Sequence, residues 1–232
     1  MPKPDPSATI QASATARGIT RLCHFTRAKT LYSIMRGRVG ILSAAAVARD
    51  CADVYCPTDA ERYDGYTSHV CCSIQFPNAH YLAKVRERDP LFKDWVVIAL
   101  DPKYLWAPKT LFCPVNAARD RGAHVAEGVD SFENQFAPRP RGSNFSRSYS
   151  HRLDCPTDMQ AEVLIPDQIA RSDILGIYFP SAQAGKTERA RWELGNIPGT
   201  PPPFRVSAQF FDANELRKVV RDGLASVESD SP

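Results

Sequence analysis

The sequence predicts an α+β fold, and three observations carry that expectation. Short apolar strand-like runs and short amphipathic helices are present, but they do not alternate as βαβα, which argues against a doubly wound parallel sheet. Long aperiodic stretches rich in Pro, Gly, Asp and Arg separate them, and the chain holds 19 prolines. Finally, the run Met159 to Ile165, bounded by Pro156 and Pro166, reads as a buried strand that carries Gln160 and Glu162. Burying a carboxylate is costly unless it has a partner or a role. Two residues apart on a strand, Gln160 and Glu162 leave the same face. An amide beside a carboxylate at a strand end reads as a site; an edge strand with a polar face toward solvent is the competing explanation.

Taken in order, residues 1–17 are rich in Pro, Ser, Ala and Thr and are expected to be a disordered tail. The folded core is expected from residue 18 to 180. It opens with a strand over Ile19–Phe25 that runs into a helix over Thr26–Arg36, with Thr26 as its cap, Leu31, Ile34 and Met35 on one face, and Gly37 at its end. His24 and Thr26 therefore sit at a strand-to-helix junction, where backbone N–H groups can meet a ligand. A hydrogen-bonded core histidine explains His24 equally well. Residues 40–67 read as a long loop ending in Glu61–Tyr66. A strand over Val70–Phe76 follows, stopped by Pro77. Asn78 caps a helix with Tyr81, Leu82 and Val85 on one face. Trp95–Leu100 is a buried strand, and Leu111–Val115 a short one before Asn116-Ala117-Ala118.

From Arg119 to Asp158 periodicity is lost again. Within it, Arg139, Arg141, Arg147 and Arg152 interleave with Phe145, Tyr149 and His151, and no acidic residue lies between Pro138 and Leu153. Cations with aromatic rings suit a single-stranded nucleic acid, arginines meeting phosphates and rings stacking on unpaired bases. Four phosphate contacts would give a salt dependence of about −0.7 per contact, near −3 in total. A solvated loop is the plainer alternative. Ile174–Phe179 is a further strand. Residues 181–232 form a C-terminal extension, with a helical turn at Arg189–Leu194, a last strand within Phe204–Phe211, and a helix capped by Asp212 that runs to about Ala225 before a short acidic tail.

Composition sets the outer limits. The 232 residues can bury a sizeable core, and 43% hydrophobic with 24% charged residues is ordinary for a globular chain. A net charge of +3 demands no nucleic-acid partner by itself. No apolar run approaches a membrane span and no signal-peptide core is visible, so a cytoplasmic protein is expected. The seven cysteines are scattered. Cys51, Cys56, His69, Cys71 and Cys72 could be drawn as a zinc site, but the spacings match no common module, so structural thiols and no metal are expected. No P-loop, GxGxxG or G-x-S-x-G pattern occurs.

Cys23-His24-Phe25-Thr26, Arg62-Tyr63-Asp64-Gly65, Ser73-Ile74-Gln75-Phe76-Pro77-Asn78, Asn116-Ala117-Ala118 and Pro156-Thr157-Asp158-Met159-Gln160-Ala161-Glu162-Val163-Leu164 occur in this order. Together they resemble the DarT-type toxins, ADP-ribosyltransferases that modify bases of single-stranded DNA, over roughly residues 19 to 180. The resemblance implies an ADP-ribosyltransferase fold with two small packed sheets around an NAD cleft, and NAD consumed as co-substrate. It implies a single-stranded DNA substrate, a monomer, and a cognate antitoxin, either a DarG macrodomain or a NADAR-type glycohydrolase. Residue by residue, it makes Glu162 the catalytic glutamate and Arg62 the arginine that contacts the NAD phosphates and assists catalysis. It makes His24, Phe25, Thr26 and Tyr81 cofactor-binding. Gln160 and the loop at about 136–158, with Arg139, Arg141, Phe145, Arg147, Tyr149, His151 and Arg152, become substrate-binding. The Arg-x-Asp-Gly, Phe-Pro-Asn and Pro-Thr-Asp elements look more like the guanine-modifying branch, with thymine, RNA or a protein side chain as alternatives.

Overall fold

Trp95–Leu100, the most apolar run of the chain, becomes a strand buried on both faces. Val96, Ile98 and Leu100 point into one core and Trp95, Val97 and Ala99 into another, which is why this strand reads as continuous rather than alternating. The computed structural model describes residues 5–36, 39–50, 62–88, 91–197 and 199–231.

In chain order the elements are α1 (Pro6–Arg17), β1 (Leu22–Arg27), α2 (Ala28–Arg36), β2 (Ile41–Leu42), α3 (Ala44–Asp50), β3 (His69–Ile74), α4 (Ala79–Arg88), β4 (Trp95–Leu100), β5 (Leu111–Cys113), β6 (Ala126–Glu127) and α5 (Val129–Asn134). There follow β7 (Glu162–Pro166), β8 (Gln168–Ile169), β9 (Ile174–Phe179), α6 (Ala182–Leu194), β10 (Phe204–Val206), α7 (Ala213–Arg221) and β11 (Ser229–Asp230). The fold is α+β, as expected. Its strands, however, hydrogen-bond as one nine-stranded sheet, β11-β10-β9-β4-β1-β3-β7-β5-β6, plus the pair β2-β8. The two small sheets survive as halves of the large one. β1 pairs with β4 along its whole length, and β3 pairs with β7 from His69 to Cys72. β1 and β3 meet at two residue pairs, Leu22 with Ile74 and Cys23 with Ser73, and then part.

Several expectations need correction. Residues 6–17 are not a disordered tail but a helix. Asp5 caps it, Pro6 opens it, and Gly18 closes it in the left-handed conformation. Its Ile10 and Ala14 are buried, and Arg17 pairs with Glu133 at 2.7 Å. Thr26 lies in β1 and does not cap α2, which begins at Ala28 directly off the strand. Gly37, Cys51, Cys56 and Glu61 lie outside the described residues, and so does the rest of 51–61. What is described of the 40–67 loop holds β2 and α3. The helical turn expected at 189–194 is the end of the 13-residue α6, capped by Ser181. β10 is three residues long and parallel to β9. The helix capped by Asp212 ends at Arg221, and it is not the last element, because the acidic tail forms β11 against β10. Glu228 beside β11 takes a bidentate contact from Arg21, at 2.9 and 2.7 Å, and a hydrogen bond from the Tyr178 hydroxyl at 2.6 Å. The extension thus completes one edge of the sheet, and α7 buries Leu216, Val219 and Val220 against the α4 side of the core.

Candidate active site

Where β1 and β3 part, the sheet leaves a cavity of about 590 Å³. It is lined by the outer half of β1, the first turns of α2, β2, α3, the 62–64 turn, β3 and Glu162. His24, Phe25, Thr26, Arg62, Tyr81 and Glu162, named from the sequence, all line it. The three groups on which the reading rests, Glu162, His24 and Arg62, therefore share one cavity.

Glu162 is the first residue of β7 and pairs with Cys113 of β5. Its side chain is 8% exposed. Asn116 Nδ2 donates to Glu162 Oε1 at 2.9 Å, while Asn116 Oδ1 accepts from the Ala118 N–H at 3.1 Å. Asn116 is thereby oriented by its own turn, a local Asx geometry. Gln135 Nε2 donates to the main-chain carbonyls of both Cys113, at 3.0 Å, and Glu162, at 2.8 Å, tying the two strand ends together. Backbone and carboxylate of Glu162 are both held. The role of Asn116 could have been sought from its place just after β5, whose partner strand starts at Glu162; the role of Gln135 has no sequence signal.

On the β1 wall, His24 Nδ1 lies 2.8 Å from the Cys71 carbonyl. A carbonyl accepts, so Nδ1 carries the proton. Burial lowers the pKa of His24 and outweighs the opposing effect of that hydrogen bond. A neutral imidazole with Nδ1–H committed in this way leaves Nε2 as an acceptor. Phe25 packs edge-on against Trp95, at 6.2 Å between centroids, and at 6.0 Å from Tyr81. Asn78, which caps α4 by accepting from the Tyr81 N–H at 3.0 Å, also lines the cavity, and its buried Nδ2 has no partner among the described residues. Lys29, on the first turn of α2, is a second cation of the cavity that the sequence reading passed over.

Arg62 has φ of 37°, in the left-handed region. Its Nε and Nη2 both donate to Asp64, at 3.1 Å each, Nη1 donates to the His69 carbonyl at 3.2 Å, and Nη2 also donates to the Tyr66 carbonyl. Asp64 in turn accepts from the Tyr66 N–H at 3.0 Å. The guanidinium thus welds the 62–69 turn to β3, and its charge faces a carboxylate already. The nearby thiol of Cys71 is pushed well up by burial and by the negative Glu162, so it stays protonated.

The stretch before β7 differs from the sequence reading. Met159 and Gln160 are turn residues, not strand, so Gln160 and Glu162 do not share a strand face. The buried Asp158 is the reason: its Oδ1 accepts from the Gln160 N–H at 3.0 Å, its carbonyl accepts from Ala161 N–H at 3.0 Å, and its Oδ2 accepts from the Ser143 hydroxyl at 2.7 Å. Gln160 is half-buried and does not line the cavity. In the basic loop, Arg147 donates to the Cys155 and Arg152 carbonyls at 2.9 and 2.6 Å and to the Thr157 hydroxyl at 3.2 Å. Arg152 forms a two-pronged pair with Asp154, at 2.9 and 2.6 Å. His151 is buried, donates through Nε2 to the Pro156 carbonyl at 3.0 Å, and is kept neutral by burial and by Arg147, which bring its pKa to about 4. These three residues build the loop. Arg139, Arg141, Phe145 and Tyr149 are exposed, and the two arginines make no side-chain hydrogen bond among the described residues.

A family model described as "ssDNA thymidine ADP-ribosyltransferase, DarT" matches residues 23–193. Solved structures are similar as well. Thermus sp. 2.9 DarT in complex with NAD+ superposes with a TM-score of 0.56 at 11% identity, covering 83% of this chain and 97% of that one. The same Thermus protein with ADP-ribosylated ssDNA gives 0.57 at 11% identity, covering 84% and 97%. Thermosipho africanus DarTG in complex with ADP-ribose gives 0.55 at 16% identity over 83% of this chain; the chain spans about half, 51%, of that protein's length. No curated protein matches the sequence. With a match that takes in β1 through α6 and every wall of the cavity, the chain belongs to the DarT family of ssDNA ADP-ribosyltransferases.

Proposed function

We propose that the chain transfers ADP-ribose from NAD to a thymine base of single-stranded DNA, releasing nicotinamide. The observation that carries this reading is the convergence of Glu162, His24 and Arg62 on one cavity of about 590 Å³ at the point where the sheet stops pairing. The thymine assignment is supported by the description of the matching family model, which names thymidine. That favours thymine over guanine, the base suggested by the motif spelling. NAD as donor is supported by the Thermus complex with NAD+.

In the reaction, the bond between the ribose C1′ and the nicotinamide nitrogen breaks, and its electron pair leaves with nicotinamide. The sugar develops oxocarbenium character, as in glycoside hydrolysis. The Glu162 carboxylate, held by Asn116, holds the ribose 2′-hydroxyl and faces the growing positive charge. A nitrogen of the base then forms the new bond to C1′ and gives up its proton to water. Nicotinamide departs neutral, so no strong acid is required. His24 offers Nε2 as an acceptor for a sugar hydroxyl. Arg62, paired with Asp64, shapes the wall on which the diphosphate lies, and Lys29 adds positive charge there. Arg139, Arg141, Phe145 and Tyr149 meet the strand. Gln160, on the Asp158 turn just outside the cavity, reads the base edge as the strand approaches.

The chain acts as a monomer in the cytoplasm. An antitoxin that removes the modification, of the DarG macrodomain or NADAR type, completes the system; the DarTG chain from Thermosipho supports the former. Among the described residues no helix is long and apolar enough to cross a membrane. Mass spectrometry of oligonucleotides containing a single thymine or a single guanine, after incubation with NAD, tests the proposal. One ADP-ribose on the thymine oligonucleotide is expected, and none with Glu162→Ala. Modification of guanine alone returns the other base, and label in RNA or polypeptide but not DNA removes the DNA reading.

A further inference from the structure

The residues beyond the family match reach the acceptor side of the enzyme. The last turn of α7 abuts the basic loop, and the contacts are polar and close. The Arg152 N–H donates to the Val220 carbonyl at 3.0 Å. The hydroxyls of Ser148 and Ser150 both donate to the Arg221 carbonyl, at 2.8 and 2.9 Å, and Arg152 Nη1 donates to the Leu224 carbonyl at 2.8 Å. Carbonyls at a helix C-terminus have no partner within the helix; here the loop supplies donors to two of them. The helix end is tightened to receive it. Gly223 has φ of 70°, Leu224 N–H returns to the Val219 carbonyl at 2.9 Å, and Asp222 N–H to the Lys218 carbonyl at 2.9 Å. A Cβ on Gly223 would lie 2.5 Å from the Ser150 carbonyl oxygen, so backbone meets backbone with no room for a side chain.

The other face of α7 does not move freely. Leu216, Val219 and Val220 are buried in the core with Leu82 and Val85 of α4. The loop is therefore tied to a helix that is itself packed into the core. Between the two anchored serines stands Tyr149, whose side chain is fully exposed. With both neighbours tied down, the backbone that carries this uncovered ring is held in place before a base arrives, and pre-positioning lowers the entropic cost of binding.

We propose that the C-terminal turn of α7 is the anchor of the acceptor-strand loop, so that Ser148, Ser150 and Gly223 act as positioning residues that set affinity for single-stranded DNA and leave NAD binding alone. The proposal rests on the reading that this loop receives the DNA strand. The double variant Ser148→Ala/Ser150→Ala removes two hydrogen bonds and is expected to raise KM for an oligonucleotide about ten-fold. The NAD affinity, measured by calorimetry, and kcat at saturating DNA stay unchanged. Ser148→Thr/Ser150→Thr keeps both hydroxyls and restores KM. Gly223→Val has a larger effect in the same direction; thermal melting of each variant reports whether it folds, and the serine pair carries the test if the valine variant does not. Tyr149→Ala is the control for the underlying reading. If Tyr149→Ala raises KM for DNA and the serine variant does not, the anchor is overturned and the loop still binds DNA. If neither changes it, loop and anchor fall together. An equal loss of NAD affinity in the serine variant also overturns the proposal.

Discussion

The cavity around Glu162 and the basic loop of residues 138–158 are built from similar side chains put to opposite uses. In the cavity, the residues proposed to carry the chemistry are held by others: Asn116 and Gln135 grip Glu162, and the Cys71 carbonyl grips His24. In the loop, three of the seven residues named for DNA are themselves the grip, with Arg147, His151 and Arg152 bound to carbonyls and Arg152 also to Asp154. The comparison teaches that charge in a sequence is not the same as charge available to a ligand. An arginine beside glycines and prolines can satisfy backbone carbonyls that no strand or helix would otherwise meet.

The largest expected effect comes from removing the gripped group. Glu162→Gln keeps the shape and loses the charge, and transfer to an oligonucleotide should fall about 100- to 1,000-fold or more with NAD binding retained. A mild loss would show that the charge at this position does not stabilise the sugar cation. Next comes the grip. Asn116→Ala leaves the carboxylate in place but unaligned, and about a ten- to hundred-fold fall in kcat is expected, with little change in KM for NAD. An effect as large as that of Glu162→Gln would make Asn116 a participant and erase the distinction. In the loop, salt separates the two classes of arginine. With Arg139 and Arg141 alone meeting phosphates, the log–log slope of affinity on salt should be about −1.4, not near −3. Arg139→Ala/Arg141→Ala should bring it close to zero, whereas a slope of about −3 in the parent protein would return Arg147 and Arg152 to the DNA surface.

Two smaller effects follow pH. Burial alone would raise the pKa of Glu228, but hydrogen bonds from Arg21, Ser226 and Tyr178 outweigh it and bring it down to about 2. A depressed carboxylate contributes stability that is present above its usual value of 4.5 and lost as pH falls toward 2. About 3 kcal/mol is the upper bound on this contribution, reduced by solvent screening at the partly exposed carboxylate. Thermal melting between pH 5 and pH 2.5 should show this loss, and Glu228→Gln should flatten the profile. His24, with its pKa lowered by burial, protonates only below the ordinary imidazole value of 6.5, so any acid limb of activity due to it is centred below that value. A limb centred above pH 6.5 would assign the titration to another group.

Much of this was legible in the sequence. The boundaries of β4 and β9 are those of their apolar runs, and Asn78 and Asp212 cap helices as their side chains predict. The residues expected to meet around a nucleotide do line one cavity. What escaped was decided by partners distant in the chain. α1 lacks an apolar stripe and is held by Arg17 on Glu133 and by the Ser7 hydroxyl on the Trp106 carbonyl, contacts about a hundred residues apart. β7 was expected to start at Met159, because its apolar residues do; the Asp158 turn, sealed by Ser143, delays it to Glu162. The acidic tail carries no strand signal of its own, and Glu228 finds its partner only when the fold brings Arg21 beside it.

The ladder between β1 and β3 has two residue pairs, Leu22–Ile74 and Cys23–Ser73; beyond them only the His24 side chain reaches across, to the Cys71 carbonyl. Two further rungs on that ladder would bond His24 and Phe25 to Cys72 and Cys71, draw the halves together and close the cavity that Glu162, His24 and Arg62 line. The cavity is an unfinished zip: whatever keeps those rungs from forming is what keeps it open.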